Sequence, residues 1–388
     1  MITNQKHLFN LPDDITYLNC SYMSPMLKSV AQIGVEAIYS KDDPSTNKPE
    51  DFFNNTSGLR AQFAQLIDAP SERSCAITPS VSYALANVAK NLKAGKGDNI
   101  VIADEQFPSN FYAWDTLSKE KGIALKVVSA PDLTTGRGQK WNELILEAID
   151  SNTKMVATGH VHWADGTKFD LKAIRKRADE VGAILVIDGT QSIGALPFSV
   201  KEFRPDAVVA AGYKWMMGPY ASGVSYFGEY FQDGSPIENN WMNRLNSEDF
   251  GNLINYQEQY QPGSIRYEVG ESANFILTPM LTKAIAQVNE WGQENIQDYC
   301  REMTTPYINE LVNLGVIIED SSFRGEHLFG LRLPDHMDME DMKRRFAEQR
   351  IFVSIRGNSI RISPNVYNDA SDLERLVDTF KVLDHSHA

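Results

Sequence analysis

In the run VVAAGYKWMMGPYASG, from Val208 to Gly223, an amine stands among apolar side chains: Lys214 follows Tyr213 and precedes Trp215, Met216 and Met217. A lysine ordinarily keeps its ammonium in water, so this one either snorkels to the surface or works as an amine. Desolvation lowers a lysine pKa and makes the side chain a nucleophile near neutral pH. Asp188 ends the apolar run ILVID, 26 residues earlier. A carboxylate at a buried strand end needs a cation or hydrogen-bond donors. It either caps the segment that begins GTQS or meets a cation inside a site. That cation is Lys214 itself, or else both residues grip the two ends of one cofactor. In TPSVSYALANVA, Ser80 and Ser82 stand where a strand turns into a helix. Their hydroxyls and the free N–H groups there either cap the helix or hold a phosphate.

Elements must bring these residues together. Short apolar runs alternate with longer amphipathic segments, the pattern of an α/β fold with a mostly parallel sheet. CAIT, NIVIA, ALKVVSA, TKMVATGHVHW, AILVID, DAVVAAG and GVSYFG read as strands. DLKAIRKRADEVG reads as a helix with Leu171, Ile174 and Ala178 on one face, closed by Gly182. In open parallel sheets a ligand sits beyond the carboxyl ends of the strands. That rule selects Ser80 and Ser82, Gln106 and Phe107, His160 and His162, Asp188 and Gln191, and Tyr213 with Lys214. After about residue 260 the character changes: a long helical stretch from Thr278 to Gly315, a small sheet from HLFGLRLP and IFVSIRGNSIRIS, and a closing helix. The expected organisation is an N-terminal segment, 1–40, packing on either unit, a large α/β domain, 41–262, and a smaller C-terminal α+β domain, 263–388.

The chain has 388 residues, 42% hydrophobic and 23% charged, enough to bury a sizeable core. With 37 basic against 51 acidic residues, the net charge of −14 argues against a nucleic-acid or anionic-membrane surface. The apolar runs are too short to span a bilayer and the first residues lack a signal-peptide core, so a cytoplasmic protein is expected. Cys20, Cys75 and Cys300 show neither metal nor disulfide spacing. His160 and His162 alternate on a strand and could form a metal site with Asp165, but a third convincing ligand is missing and no metal is expected.

One cofactor asks for an amine, a carboxylate and a phosphate turn together. Pyridoxal 5'-phosphate takes a lysine amine on its aldehyde, an anion beside its ring nitrogen and donors for its phosphate. The run VIDGTQSIGALPFSVKEFRPDAVVAAGYKWMMGPYASGVSYF resembles the signature of the class V aminotransferase family of fold-type I pyridoxal-phosphate enzymes, which includes cysteine desulfurases, kynureninases and isopenicillin N epimerases. The pattern is an Asp-x-x-Gln strand end, then a lysine, a short apolar stretch and Gly-Pro: here Asp188, Gln191, Lys214, Gly218 and Pro219. The similarity runs outward from YLNCSYMSP to IRISPNVYN, essentially the whole chain.

The resemblance implies a three-layer fold-type I architecture and a homodimer with active sites near the interface. It implies that Lys214 forms the Schiff base, that Asp188 bonds the pyridine nitrogen, and that Gln191 and His162 lie at the phenolic oxygen. Phe107 would stack on the ring, and Tyr213, Ser80, Val81 and Ser82 would serve the phosphate. Trp241 and the turn from Gly270 to Ser272 would approach the cofactor, the turn across the dimer interface. Arg361 would hold the carboxylate of an α-amino acid substrate, unless it pairs with a nearby acid. Arg356 is a second anion-binder or a surface hairpin arginine. Desulfurases of the family use a cysteine shortly before the carboxylate arginine, and none stands between Met342 and Ser363. The expected activity is therefore aminotransferase-like, with a kynureninase-like lyase or an epimerase as alternatives. A non-catalytic nucleotide-binding protein would use the Ser80 turn, yet the phosphate-loop and dinucleotide fingerprints are missing.

Overall fold

The computed structural model of the chain describes residues 2–384. In chain order, β1 (Thr16–Tyr17), α1 (Lys28–Tyr39) and α2 (Asp51–Leu66) lead into an alternating run. It comprises β2 (Cys75–Thr78), α3 (Val81–Asn91), β3 (Asn99–Ala103), α4 (Ser109–Lys121), β4 (Ala124–Val128), α5 (Arg137–Ala148), β5 (Thr153–Gly159), α6 (Leu171–Val181), β6 (Ile184–Asp188), α7 (Val200–Phe203), β7 (Ala207–Ala211) and β8 (Gly223–Phe227). Then follow α8 (Leu277–Trp291), α9 (Gln293–Asn313), β9 (Ile317–Ile318), β10 (Phe329–Arg332), α10 (Met339–Glu348), β11 (Ile351–Phe352), β12 (Ser354–Arg356), β13 (Ser359–Ile362) and α11 (Ala370–Asp384).

The large sheet has seven strands in the order β2-β8-β7-β6-β5-β3-β4. From β7 to β4 every pairing is parallel, and β8 runs antiparallel to both its neighbours. The inner strands read as unbroken apolar runs because both faces are covered. The pleat divides their side chains between two clusters. Val101, Val156, Leu185, Ile187 and Val208 join Ile145 of α5, Ile174 of α6 and Leu281 of α8. Ile100, Ile102, Met155, Val186 and Val209 join Leu85 and Val88 of α3 and Trp114 of α4. Helices on both faces of one sheet make the three layers of an α/β fold, and each fully buried aliphatic side chain contributes roughly 1.5–3 kcal/mol.

Local signals behave as their chemistry requires. The Asp170 side chain accepts from the Ala173 N–H to cap α6, and Gly182, at φ 72°, closes it in the left-handed region. The long helical stretch is two helices, parted at Gly292, where φ is +78°. Helix α8 packs on α1 and α2. Ile296 and Cys300 of α9 still belong to the large cluster, whereas Ile308 and Leu311 of the same helix belong to the core of the small sheet. The core thus changes inside α9, some way past the change in sequence character near residue 263.

The small sheet runs β12-β13-β10-β9, all antiparallel. Phe329, Leu331, Ile360 and Ile362 bury one face against α9, α10 and α11. The parallel pair β1-β11 ties the N-terminal segment to this part of the chain. Among the described residues no helix is long and apolar enough to cross a membrane.

Candidate active site

A cavity of about 470 Å³ opens beyond the carboxyl ends of β5, β6 and β7, beside the N-terminus of α3 and the segment that follows β3. Lys214, Asp188, Gln191, Phe107, Tyr213, Ser80, Val81 and Ser82 all line it, so most of the strand-end selection converges on one place.

Lys214 sits two residues past Gly212 in the loop between β7 and β8. A Cβ at Gly212 would come within 2.6 Å of the Ser222 oxygen, and one at Gly218 within 2.4 Å of Leu281, so only glycine lets this loop fold so tightly onto α8. A Cβ at Gly194 would lie 2.5 Å from the Trp215 carbonyl oxygen, so a third glycine admits the chain just after the lysine. The Lys214 amine lies 5.7 Å from the centroids of both Phe107 and Tyr213. Burial, then the Arg361 charge, push its pKa down to about 8, against the smaller opposing pull of Asp188.

Asp188 is pushed upward by burial, although the Thr190 N–H donates to its Oδ1 at 3.0 Å and the Lys214 charge acts the other way. Its charge is thus only partly compensated within the protein. Gln191 spans two partners: Nε2 donates to the Ser21 carbonyl at 3.1 Å and Oε1 accepts from Trp215 Nε1 at 2.9 Å. One amide hydrogen of Gln191 stays free for a ligand. Ser80 caps α3 by accepting from the Tyr83 N–H, and its hydroxyl meets that of Ser82 at 2.9 Å. Capping and lining the cavity are therefore not alternatives here; the same residue does both.

Three sequence expectations change. His162 does not reach the cavity: Gly159, Val161 and Trp163 line it, so the alternate residues His160 and His162 point away. His162 instead lies against Trp141, with one ring nitrogen on Asp165 at 3.1 Å and the other near the Asp104 and Glu105 carbonyls. Trp241 stands apart in an aromatic group with Phe52, Phe53 and Phe250, outside the cavity lining. Ser272 is buried and donates to the Glu268 carboxylate at 2.9 Å, which holds it off the site and off the surface.

Arg361 and Arg356 are not part of the cavity lining; both pack on Trp163, which is. Arg361 is 1% exposed, one of its Nη atoms donates to the Trp163 carbonyl, and its Nε has no partner. Burial and then the neighbouring Arg356 push it down to about 9, still a cation at neutral pH, and no acid offsets them. The guanidinium of Arg356 lies 5.5 Å from the Trp163 ring centroid.

Sequence reasoning missed Trp163, whose ring also meets Phe107 edge-on at 5.3 Å, and the N-terminal segment. Ser24 donates its N–H to the Tyr213 carbonyl at 3.1 Å, and Ser21 holds Gln191. The parity of GHVHW carried a usable signal for Trp163; contacts spanning 170 and more residues carry none.

These residues fit pyridoxal phosphate. A buried amine and a half-buried carboxylate, neither with an oppositely charged partner at contact distance among the described residues, a hydroxyl-bearing helix N-terminus and an exposed Phe107 ring are the four partners that cofactor needs.

Comparison with known proteins agrees. A family model described as aminotransferase class-V matches residues 46–376. An uncharacterized aminotransferase of Schizosaccharomyces pombe is 24% identical over 377 residues, covering 95% of this chain and 92% of that protein. A probable cysteine desulfurase of Methanothermobacter thermautotrophicus is 25% identical over 349 residues, covering 84% and 82%. Among solved structures, a mutant of C-DES with glycine covalently linked to its PLP cofactor superposes with a TM-score of 0.87 at 17% identity, covering 97% of this chain and 99% of that one. That likeness is one of fold.

Proposed function

The chain belongs to the class-V aminotransferase family and is a pyridoxal-phosphate enzyme, and from that premise we propose that it transaminates an α-amino acid with Lys214 as its catalytic residue. The observation that carries this reading is the Lys214 amine, buried in the cavity and pushed down to about 8. When bound, pyridoxal phosphate supplies an aldehyde and a ring that accepts an electron pair from the substrate's α-carbon.

The chain's own residues do the rest. Asp188, oriented by the Thr190 N–H, would stand beside the ring nitrogen and favour a proton there. Ser80, Ser82 and the first N–H groups of α3 bind the phosphate. Phe107 would cover one side of the ring and Tyr213 would serve the phosphate; both line the cavity. Arg361 orients the substrate carboxylate through its guanidinium fork. Lys214 Nζ takes the proton from the substrate α-carbon as general base and returns it to another atom of the same system. Trp163 walls the cavity, and Ser21 and Ser24 hold Gln191 and Tyr213 in place. A homodimer belongs to the same reading, supported by the exposed Met26, Val35, Ile38 and Tyr39 in and before α1.

A desulfurase reading draws on the names of relatives such as that of Methanothermobacter thermautotrophicus. It needs a thiol that reaches the substrate. Cys20, Cys75 and Cys300 are buried, and burial pushes all three upward, Cys20 and Cys75 to about 12. Lyase and epimerase outcomes use the same residues and differ in where the proton goes.

The test is direct. Borohydride treatment of the yellow holoprotein should fix the cofactor to the peptide that carries Lys214, read by mass spectrometry. An amino-acid panel assayed together for keto acid, ammonia and inversion then separates transamination from its alternatives. Cofactor fixed to another lysine would refute the assignment of Lys214.

A further inference from the structure

The segment SIRGNSIRIS repeats one tripeptide, Ser-Ile-Arg, on both arms of a hairpin. Ser354 pairs with Arg361 and Arg356 with Ser359 across β12 and β13. Strand alternation therefore places Ser354, Arg356, Ser359 and Arg361 on one face, while Ile355 and Ile360 turn to the core of the small sheet. Arg356 and Arg361 are diagonal neighbours, about 7–8 Å apart along the backbone, so two guanidinium groups project from one patch of sheet. Both meet Trp163: Arg361 at its carbonyl, Arg356 at its ring. Trp163 and Phe107 line the cavity; the two cations pack on Trp163 without lining the cavity themselves, and both act on the Lys214 amine inside it.

Among the described residues neither arginine has an acid partner. The hydrogen bonds of Arg356 and Arg361 go to the Ile355 and Trp163 carbonyls, and among the described residues neither forms an ion pair. Elsewhere in the same chain buried arginines are matched: Arg60 by Glu268, Arg175 by Asp206 and Arg324 by Glu326. One guanidinium fork accounts for one carboxylate. The α-carboxylate of a substrate therefore satisfies Arg361 and leaves Arg356 without an anion, next to a second cation and Lys214. A surface arginine would be free to swing away, but Arg356 is half-buried and stacked on Trp163.

We infer that Arg356 is a specificity-determining residue that binds a second anionic group, so that the preferred substrate is an acidic α-amino acid whose side chain ends in a carboxylate or a similar oxyanion. The inference rests on the amino-acid reading of the site and names the substrate class within it. Arg361 takes the α-carboxylate and Arg356 the distal anion. The neutral amide of the same shape can accept from Arg356 but brings no charge to it.

The experiment titrates the purified holoprotein with aspartate, glutamate, asparagine and glutamine and follows the absorbance of the bound cofactor. In parallel, the melting temperature is recorded with non-reacting succinate and with butyrate. At least one acid should half-saturate at a concentration about tenfold or more below its amide. Succinate should raise the melting temperature more than butyrate. Arg356→Met should abolish both differences while its melting temperature without ligand stays that of the native protein, and Arg356→Lys should keep part of them. Arg361→Met should weaken acids and amides alike. Amides that bind as well as acids, or an acid preference that survives Arg356→Met, would overturn the inference and leave the amino-acid reading standing. A holoprotein whose absorbance responds to no amino acid would overturn both. Should Arg356→Met fold poorly, Arg356→Lys and the succinate–butyrate comparison on the native protein decide the matter.

Discussion

The sharpest consequence concerns the amine of Lys214 before any cofactor arrives. A lysine at its ordinary 10.5 is neutral in only about 0.03% of molecules at pH 7, whereas one at about 8 is neutral in roughly a tenth, a gain of about 300-fold in nucleophile. The causes set the sign of each perturbation. Burial is the largest, Arg361 comes next in the same direction, and Asp188 opposes them. Arg361→Met should therefore raise the midpoint without restoring 10.5, and Asp188→Asn should lower it. The assay mixes apoprotein with pyridoxal phosphate in a stopped-flow instrument from pH 6 to 10 and follows the bound-cofactor absorbance. Dividing by the rate of free butylamine under the same conditions cancels the cofactor's own titration. The native midpoint should fall near 8, and Arg361→Met should slow uptake at pH 7 by about threefold or more. A native midpoint above about 9.5, or the same direction of change in both variants, would refute this electrostatic account of the site.

Lys214→Met should stabilise the apoprotein by about 1–3 kcal/mol at pH 7, because the native fold holds the charged form at a cost. The lysine's folded pKa is lowered, so native stability rises with pH between about 8 and 10.5 and the gap to the variant closes there; urea unfolding at pH 7 and 10 measures it. Ser80→Ala should cost about 1 kcal/mol through the lost cap and also weaken cofactor retention in dialysis. His160, buried against Phe198 and Phe203 with an unpartnered Nδ1, is pushed down to about 3, so its contribution is lost as pH falls below 6.5 and amounts to about 3 kcal/mol by pH 4.5. His160→Phe should flatten that acid limb in a pH series of melting curves. A thiol reagent should label none of the three cysteines until the chain is unfolded, and labelling of native Cys20 with loss of activity would reopen the thiol-dependent reading.

Much of the site could be read from the chain because parallel strands expose one end to a ligand, and the residues after each apolar run are close in sequence to the strand that carries them. Ser80, Phe107, Asp188 and Lys214 converge for that reason alone. The rule failed at GHVHW, where a strand end offers two parities. Choosing His160 and His162 over Gly159, Val161 and Trp163 requires knowing which side of the sheet edge the cavity occupies, and that is settled by neighbours far along the chain. Trp241 and Ser272 lie outside this chain's own cavity for a different reason. Both occupy the long stretch between β8 and α8 that has no strand to fix direction, and the packing of Trp241 on Phe52 and Phe53 is a contact across nearly two hundred residues.

The two arginines show where the line between legible and hidden falls. Their shared face follows from alternation within ten residues of sequence, and the repeated Ser-Ile-Arg makes it visible without coordinates. What alternation cannot supply is the partner. Whether an arginine is matched by an acid depends on which distant element packs over it, and here that element contributes Trp163, a ring and a carbonyl, where Glu268 and Asp206 serve Arg60 and Arg175. An ion pair formed inside the chain would have made Arg356 structural. Among the described residues none forms, and that absence is the ground on which the proposal moves the demand for an anion from the fold to the ligand.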